Sequence, residues 1–91
     1  VLYDENGLVP MQDISVASQN MLLTAHTLGL GTCWIGMVSI GFSDESMQQK
    51  YKEKLNLPDW YKISHAISLG YPKTIPTKGP ERKENKVIYI D

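Results

Sequence analysis

The chain has a single cysteine, almost no net charge and no long unbroken apolar run. Each scarcity excludes something. One thiol, Cys33, rules out an intrachain disulfide and points to a reducing compartment, so a cytoplasmic protein is expected. Nine Lys/Arg against ten Asp/Glu leave a formal charge of −1, too balanced for a phosphate-tracking nucleic-acid surface or a polybasic membrane anchor. The longest nearly uncharged stretch, residues 16–49, is broken by Gly29, Gly31, Gly36 and Gly41. It does not provide the roughly 20 apolar residues of a membrane helix. Neither nucleic acid nor membrane is therefore an expected partner. No CxxC or HxxxH pair stands at metal-ligand spacing, so no metal is expected either. There is no internal repeat and no low-complexity tract, the sequence does not open on methionine, and no leader sequence is expected.

What is present describes a folded chain, 42% hydrophobic and 21% charged, with length for one domain only. It opens on Val1-Leu2-Tyr3 and runs straight into the turn-forming Asp4-Glu5-Asn6-Gly7, as if on the end of a strand. A domain this small hides only about 60–65% of its unfolded surface. Both features suggest a piece of a longer protein.

Ile14, Ala17, Met21, Leu22, Ala25 and Leu28 follow helical spacing, which predicts a helix over 14–28 with Asp13 as N-cap and Gly29 as its left-handed terminus. Residues 31–38 are uncharged, aromatic or β-branched and bounded by glycines, the pattern of a buried strand. The cluster Ser43–Ser46 caps a second helix, with Met47, Tyr51 and Leu55 along one side and lysines toward its end near residue 55. Strict alternation from Tyr61 to Leu69 predicts one half-buried strand, facing inward through Ile63, His65 and Ile67. Residues 72–86, with three prolines, one glycine and seven charges, read as a solvated loop, and 86–90 as a closing strand. The order predicts an α+β fold, of the α/β three-layer type. Its last strand, left without a following element to cover it, needs a partner such as a neighbouring subunit's sheet.

Chemistry carried by side chains is sparse. Cys33 has Thr32 and Trp34 as neighbours, with no base or cation, and reads as a small buried hydrophobe. His65 reads as a hydrogen-bonded core histidine and His26 as a surface residue. Gly29-Leu30-Gly31 follows a helix rather than a strand and is no dinucleotide fingerprint. No catalytic residue is assigned; if the protein is an enzyme, a cofactor carries its reaction. Two segments suit a flat, phosphorylated cofactor. Trp34-Ile35-Gly36 ends a strand on a residue without a Cβ, where main-chain groups can approach a ring closely, although a glycine there also serves a plain turn. Pro80-Glu81-Arg82-Lys83 offers a guanidinium able to grip a phosphate, worth about 1.5–3 kcal/mol, or else is a solvated mixed-charge loop.

The run from Asp13 through Gln19, Asn20, Leu22, Leu23 and Ala25, followed by Leu28-Gly29-Leu30-Gly31-Thr32-Cys33-Trp34-Ile35-Gly36, resembles the nitroreductase family. So do Leu69-Gly70-Tyr71-Pro72 and Pro80-Glu81-Arg82-Lys83, the latter most like the branch sometimes fused to a 4Fe–4S ferredoxin module. The likeness covers residues 11–91. It implies a nitroreductase-like fold and an FMN-dependent oxidoreductase that passes hydride from NAD(P)H through flavin to a nitro compound, quinone or similar acceptor. It further implies that Trp34, Ile35 and Gly36 lie along the flavin and that Arg82 contacts its phosphate. The family's homodimers exchange C-terminal extensions across the interface, which agrees with the uncovered strand over 86–90. Residues 1–91 correspond to the C-terminal half of such a domain, the N-terminal half having no counterpart. The alternative is a non-catalytic dimerising α/β remnant that has lost the flavin site.

Overall fold

The protein was analysed as a computed structural model, which describes residues 1–90. Strand β1 (Leu2–Asp4) is followed by helix α1 (Pro10–Thr27), strand β2 (Gly31–Ile35), the short helix α2 (Val38–Gly41) and helix α3 (Glu45–Leu55). Strands β3 (Tyr61–Ile63) and β4 (Ala66–Gly70) complete the order. The expected mixture of helix and strand is present, arranged as two antiparallel pairs. β1 pairs with β3, and β2 with β4 in the register Thr32↔Leu69 and Trp34↔Ile67.

Helix α1 starts earlier than its apolar pattern predicts. Pro10 occupies the first turn, where its fixed φ favours the helix and its missing N–H costs nothing. The N-cap is therefore Val9, without a side-chain cap, and Asp13 falls within the first turn instead. The helix ends as expected, with Gly29 at φ +73°. Helix α3 also begins as read: Asp44 is extended and its carboxylate accepts the Ser46 N–H. Asn56 closes it in the left-handed region. Helix α2 follows Gly36 without any sequence periodicity to announce it.

Two expectations need correction. The single strand over 61–69 is two strands, because Ser64 and His65 carry the chain from one sheet to the other. The side-chain alternation continues through that joint, so Ile63 and His65 are both buried. The closing strand over 86–90 does not form within this chain. The segment finds no paired neighbour among the described residues, and Val87 through Ile90 stay exposed.

The interior is small and partly polar. Ile14, Ala25 and Ile63 are the buried apolar residues, beside buried Ser18, Gln48, Lys52 and His65. The buried stripe of α1 thus runs through Ile14, Ser18 and Ala25, while Met21 and Leu28 of the expected face are exposed. Gln48 accounts for much of the cohesion around β3. Its amide nitrogen donates to the Ile63 and Phe42 carbonyl oxygens at 2.8 and 2.9 Å, and its oxygen accepts the Ile63 N–H at 2.9 Å. The Ser64 N–H points the other way, to the Val1 carbonyl. A glutamine side chain therefore takes the place of a neighbouring strand on the outer edge of β3.

Candidate functional site

Strand β2 brings the first three candidate residues to one place. Trp34 and Ile35 are its last two positions and Gly36 follows directly. The expectation of a buried strand fails here: Trp34 and Ile35 are each 38% exposed, and Cys33 is exposed as well. Although β2 carries no charge, among the described residues β4 covers one edge only and leaves the other unpaired. Along that open edge, N–H and C=O groups face outward beside two apolar side chains. A Cβ on Gly36 would meet nothing nearer than the Trp34 ring at 3.9 Å, so the main chain there is approachable. This is the chemistry that suits a flat heterocycle with donors and acceptors along its rim.

Behind Trp34 lies a feature that the sequence did not disclose. Its indole stacks on the His65 imidazole, with ring centroids 4.2 Å apart and planes 11° from parallel. The expectation that His65 is a hydrogen-bonded core histidine holds, and its partners are two hydroxyls. Ser18 Oγ lies 2.8 Å from Nε2 and Ser64 Oγ 3.0 Å from Nδ1. Burial pushes the imidazole below its ordinary value. Neutral His65 has one donor and one acceptor nitrogen, which two rotatable hydroxyls satisfy in either tautomer. Ser18 was legible only as a polar residue in a helix. Its place on the stripe with Ile14 and Ala25 was the available signal.

Farther along the same face, α1 and the β2–β4 pair enclose an apolar groove of about 450 Å3, lined among others by Met21, Ala25, Leu28, Thr32, Ile67 and Leu69. His26 is exposed at the last turn of α1, as expected.

Arg82 is not brought to β2 within this chain. It sits in the exposed, irregular segment after Gly70, and no hydrogen bond or ion pair engages it among the described residues. The start of that segment is anchored: Pro72 packs beside Gly31, and Pro72 to Gly79 line a cavity of about 440 Å3 with Gly29, Leu30 and Gly31. That anchor is at the N-terminal end of β2. At about 3.3 Å per residue it lies roughly 17 Å from Gly36. Among the described residues no His/Cys/Asp/Glu cluster could hold a metal, and no helix is long and apolar enough to cross a membrane.

Comparison with known proteins adds three findings. The model of the nitroreductase family matches residues 4–71. A protein of Archaeoglobus fulgidus provisionally named NADH dehydrogenase/NAD(P)H nitroreductase is 36% identical over 63 residues, which is 69% of this chain and 34% of that protein. The FMN reductase (NADPH) of Bacillus subtilis is 31% identical over 85 residues, 93% of this chain and 32% of that protein. The chain thus spans about a third of the length of these relatives. Among solved structures, the nitroreductase of Bacteroides fragilis with bound FMN superposes with a TM-score of 0.79 at 23% identity, over 99% of this chain and 48% of that one. That likeness establishes the fold.

Proposed function

The chain belongs to the nitroreductase family, and on that premise we propose that it forms part of an FMN-dependent oxidoreductase moving hydride from NAD(P)H to a nitro compound, quinone or similar acceptor. The observation that carries the reading is the open edge of β2, ending at approachable Gly36 beside exposed Trp34 and Ile35. These residues fit a flavin. When bound, FMN supplies the hydride-accepting and hydride-donating chemistry, and the protein's own groups bind and orient. Main-chain groups of residues 34–36 hold the ring rim, and Trp34 and Ile35 keep water from it. Arg82 neutralises the phosphate, as a fork that can donate two parallel hydrogen bonds.

Reaching the site is then a matter of assembly. Arg82 lies on a segment whose distal part, Val87 to Ile90, is apolar and exposed. A homodimer in which that segment lies on the partner copy would cover the apolar residues and bring one guanidinium to each flavin. The remainder of the flavin pocket, on this reading, belongs to the N-terminal half of the domain, residues 1–91 being the C-terminal half.

The full-length protein is expected to purify yellow, with flavin absorbance bands. Arg82→Ala is expected to raise the Kd for FMN by about 10- to 150-fold, the loss of a charged hydrogen-bonded contact worth about 1.5–3 kcal/mol. Hydride transfer at saturating flavin should change much less. Unchanged FMN affinity refutes the assignment of Arg82. The detachment of Arg82 from β2 within one chain favours a second reading, a dimerising remnant without flavin. A colourless dimer that acquires no flavin absorbance on adding FMN decides for it.

A further inference from the structure

The Trp34 indole stands near the open end of β2, and its conformation is not left to solvent. Trp34 and His65 occupy the same face of the β2–β4 pair, Trp34 opposite Ile67 and His65 two positions earlier on the same side of the strand path. His65 is 4% exposed and cannot swing away, because Ser18, which is fully buried, holds Nε2 from α1 while Ser64 holds Nδ1 from its own strand joint. The imidazole plane is thus fixed at both nitrogens by two separate elements. The indole lies flat on that plane at 4.2 Å. A ring clamped against a fixed plane restrains how far the backbone that carries it can shift, and here that backbone leads into Ile35 and Gly36.

We propose that His65 is a positioning residue: anchored by Ser18 and Ser64, it sets the plane of Trp34 and through it the main chain of 34–36 that receives the flavin ring. This role rests on the flavin reading given under Proposed function. His65 touches neither flavin nor substrate and takes no part in the chemistry.

Two substitutions in the full-length protein separate stacking from mere filling of space. His65→Phe keeps a flat ring against the indole, whereas His65→Leu keeps much of the volume without the plane. His65→Leu is expected to weaken FMN binding about tenfold, the order of an aromatic stacking contribution, and to change the near-ultraviolet circular dichroism of the indole and the visible circular dichroism of bound flavin. His65→Phe, which keeps the flat ring but loses both hydroxyl anchors, is expected to fall between Ser64→Ala and His65→Leu in affinity and to retain part of both spectra. Ser64→Ala, which frees one ring nitrogen at a half-buried position, should give a smaller loss of about threefold and supplies the comparison if His65→Leu does not fold. Wild-type affinity and unchanged spectra in both His65→Leu and Ser64→Ala overturn this role and leave the flavin reading intact. An equal loss in His65→Leu and His65→Phe also overturns it, since the flat ring then confers nothing. A wild-type protein that takes up no FMN overturns the flavin reading, and this role with it.

Discussion

Replacing Gln48 with alanine removes three hydrogen bonds from a side chain that is almost fully buried on α3. Two of them satisfy the N–H and C=O of Ile63, itself buried, on the edge of β3 that no strand covers among the described residues. The third, to Phe42, is partly accessible, and water replaces it at little cost. Leaving a buried donor or acceptor unpaired costs about 1–3 kcal/mol each. Truncation to alanine opens room for some water, so about 1–1.5 kcal/mol applies to each group and the total is about 2–3 kcal/mol. The Ile63 amide, protected in the wild type by Gln48 Oε1, should then exchange its hydrogen about 30- to 150-fold faster, one factor of ten for each 1.4 kcal/mol. Amide exchange followed by NMR reads that position directly. Gln48→Glu should be at least as harmful at neutral pH, since its carboxylate retains the acceptor for Ile63 but sets negative charge against two carbonyl oxygens. Lowering the pH protonates it and restores a donor, so this variant should recover partly in acid. An acceleration below about threefold in Gln48→Ala would refute the idea that this side chain substitutes for a strand.

Asp44→Ala should lower the urea midpoint at unchanged slope, because the first turn of α3 loses its cap to Ser46; Asp44→Asn should retain most of the wild-type midpoint. A pH effect follows from His65. Burial lowers its folded pKa below the unfolded value of about 6.5, so the fold prefers the neutral ring. The stability it contributes is complete above that value and diminishes as pH falls through it toward the lower folded pKa. The thermal midpoint should accordingly fall between pH 7.5 and 5.5, a window in which the carboxylates stay ionised, and His65→Phe should flatten the fall. An equal decline in the variant would mean that another group titrates there.

Legibility differed from element to element. Helix α3 could be placed from Asp44 and its trailing lysines, and the end of α1 from Gly29, since caps and terminators are local chemistry written within a few residues. The start of α1 was shifted because the apolar pattern marks the packed face, whereas Pro10 marks where the helix can begin. The division of 61–69 was invisible for a physical reason: Ile63, His65 and Ile67 alternate without interruption, and no glycine or proline marks the change of sheet. β2 was read as buried because it lacks charge, but apolar character shows only what a surface prefers to meet, and its outer side meets nothing among the described residues. The candidate site was legible in two different ways. Trp34, Ile35, Gly36 and Arg82 came through family resemblance, with composition and spacing leaving them open. His65 was read correctly from its strand position, yet its coupling to Ser18 and Trp34 spans 47 and 31 positions of sequence and exists only in three dimensions.

The two-residue joint at Ser64 and His65 makes the chain length there a matter of odd and even. Because alternation persists across it, inserting or deleting one residue would turn β4 over while β3 stayed in place. An insertion would put Ala66 and Ser68, and a deletion Ser68 and Gly70, at the positions of Ile67 and Leu69 beside α1. Evolution can lengthen the irregular stretch after Gly70 residue by residue, but at this corner it can move only in steps of two.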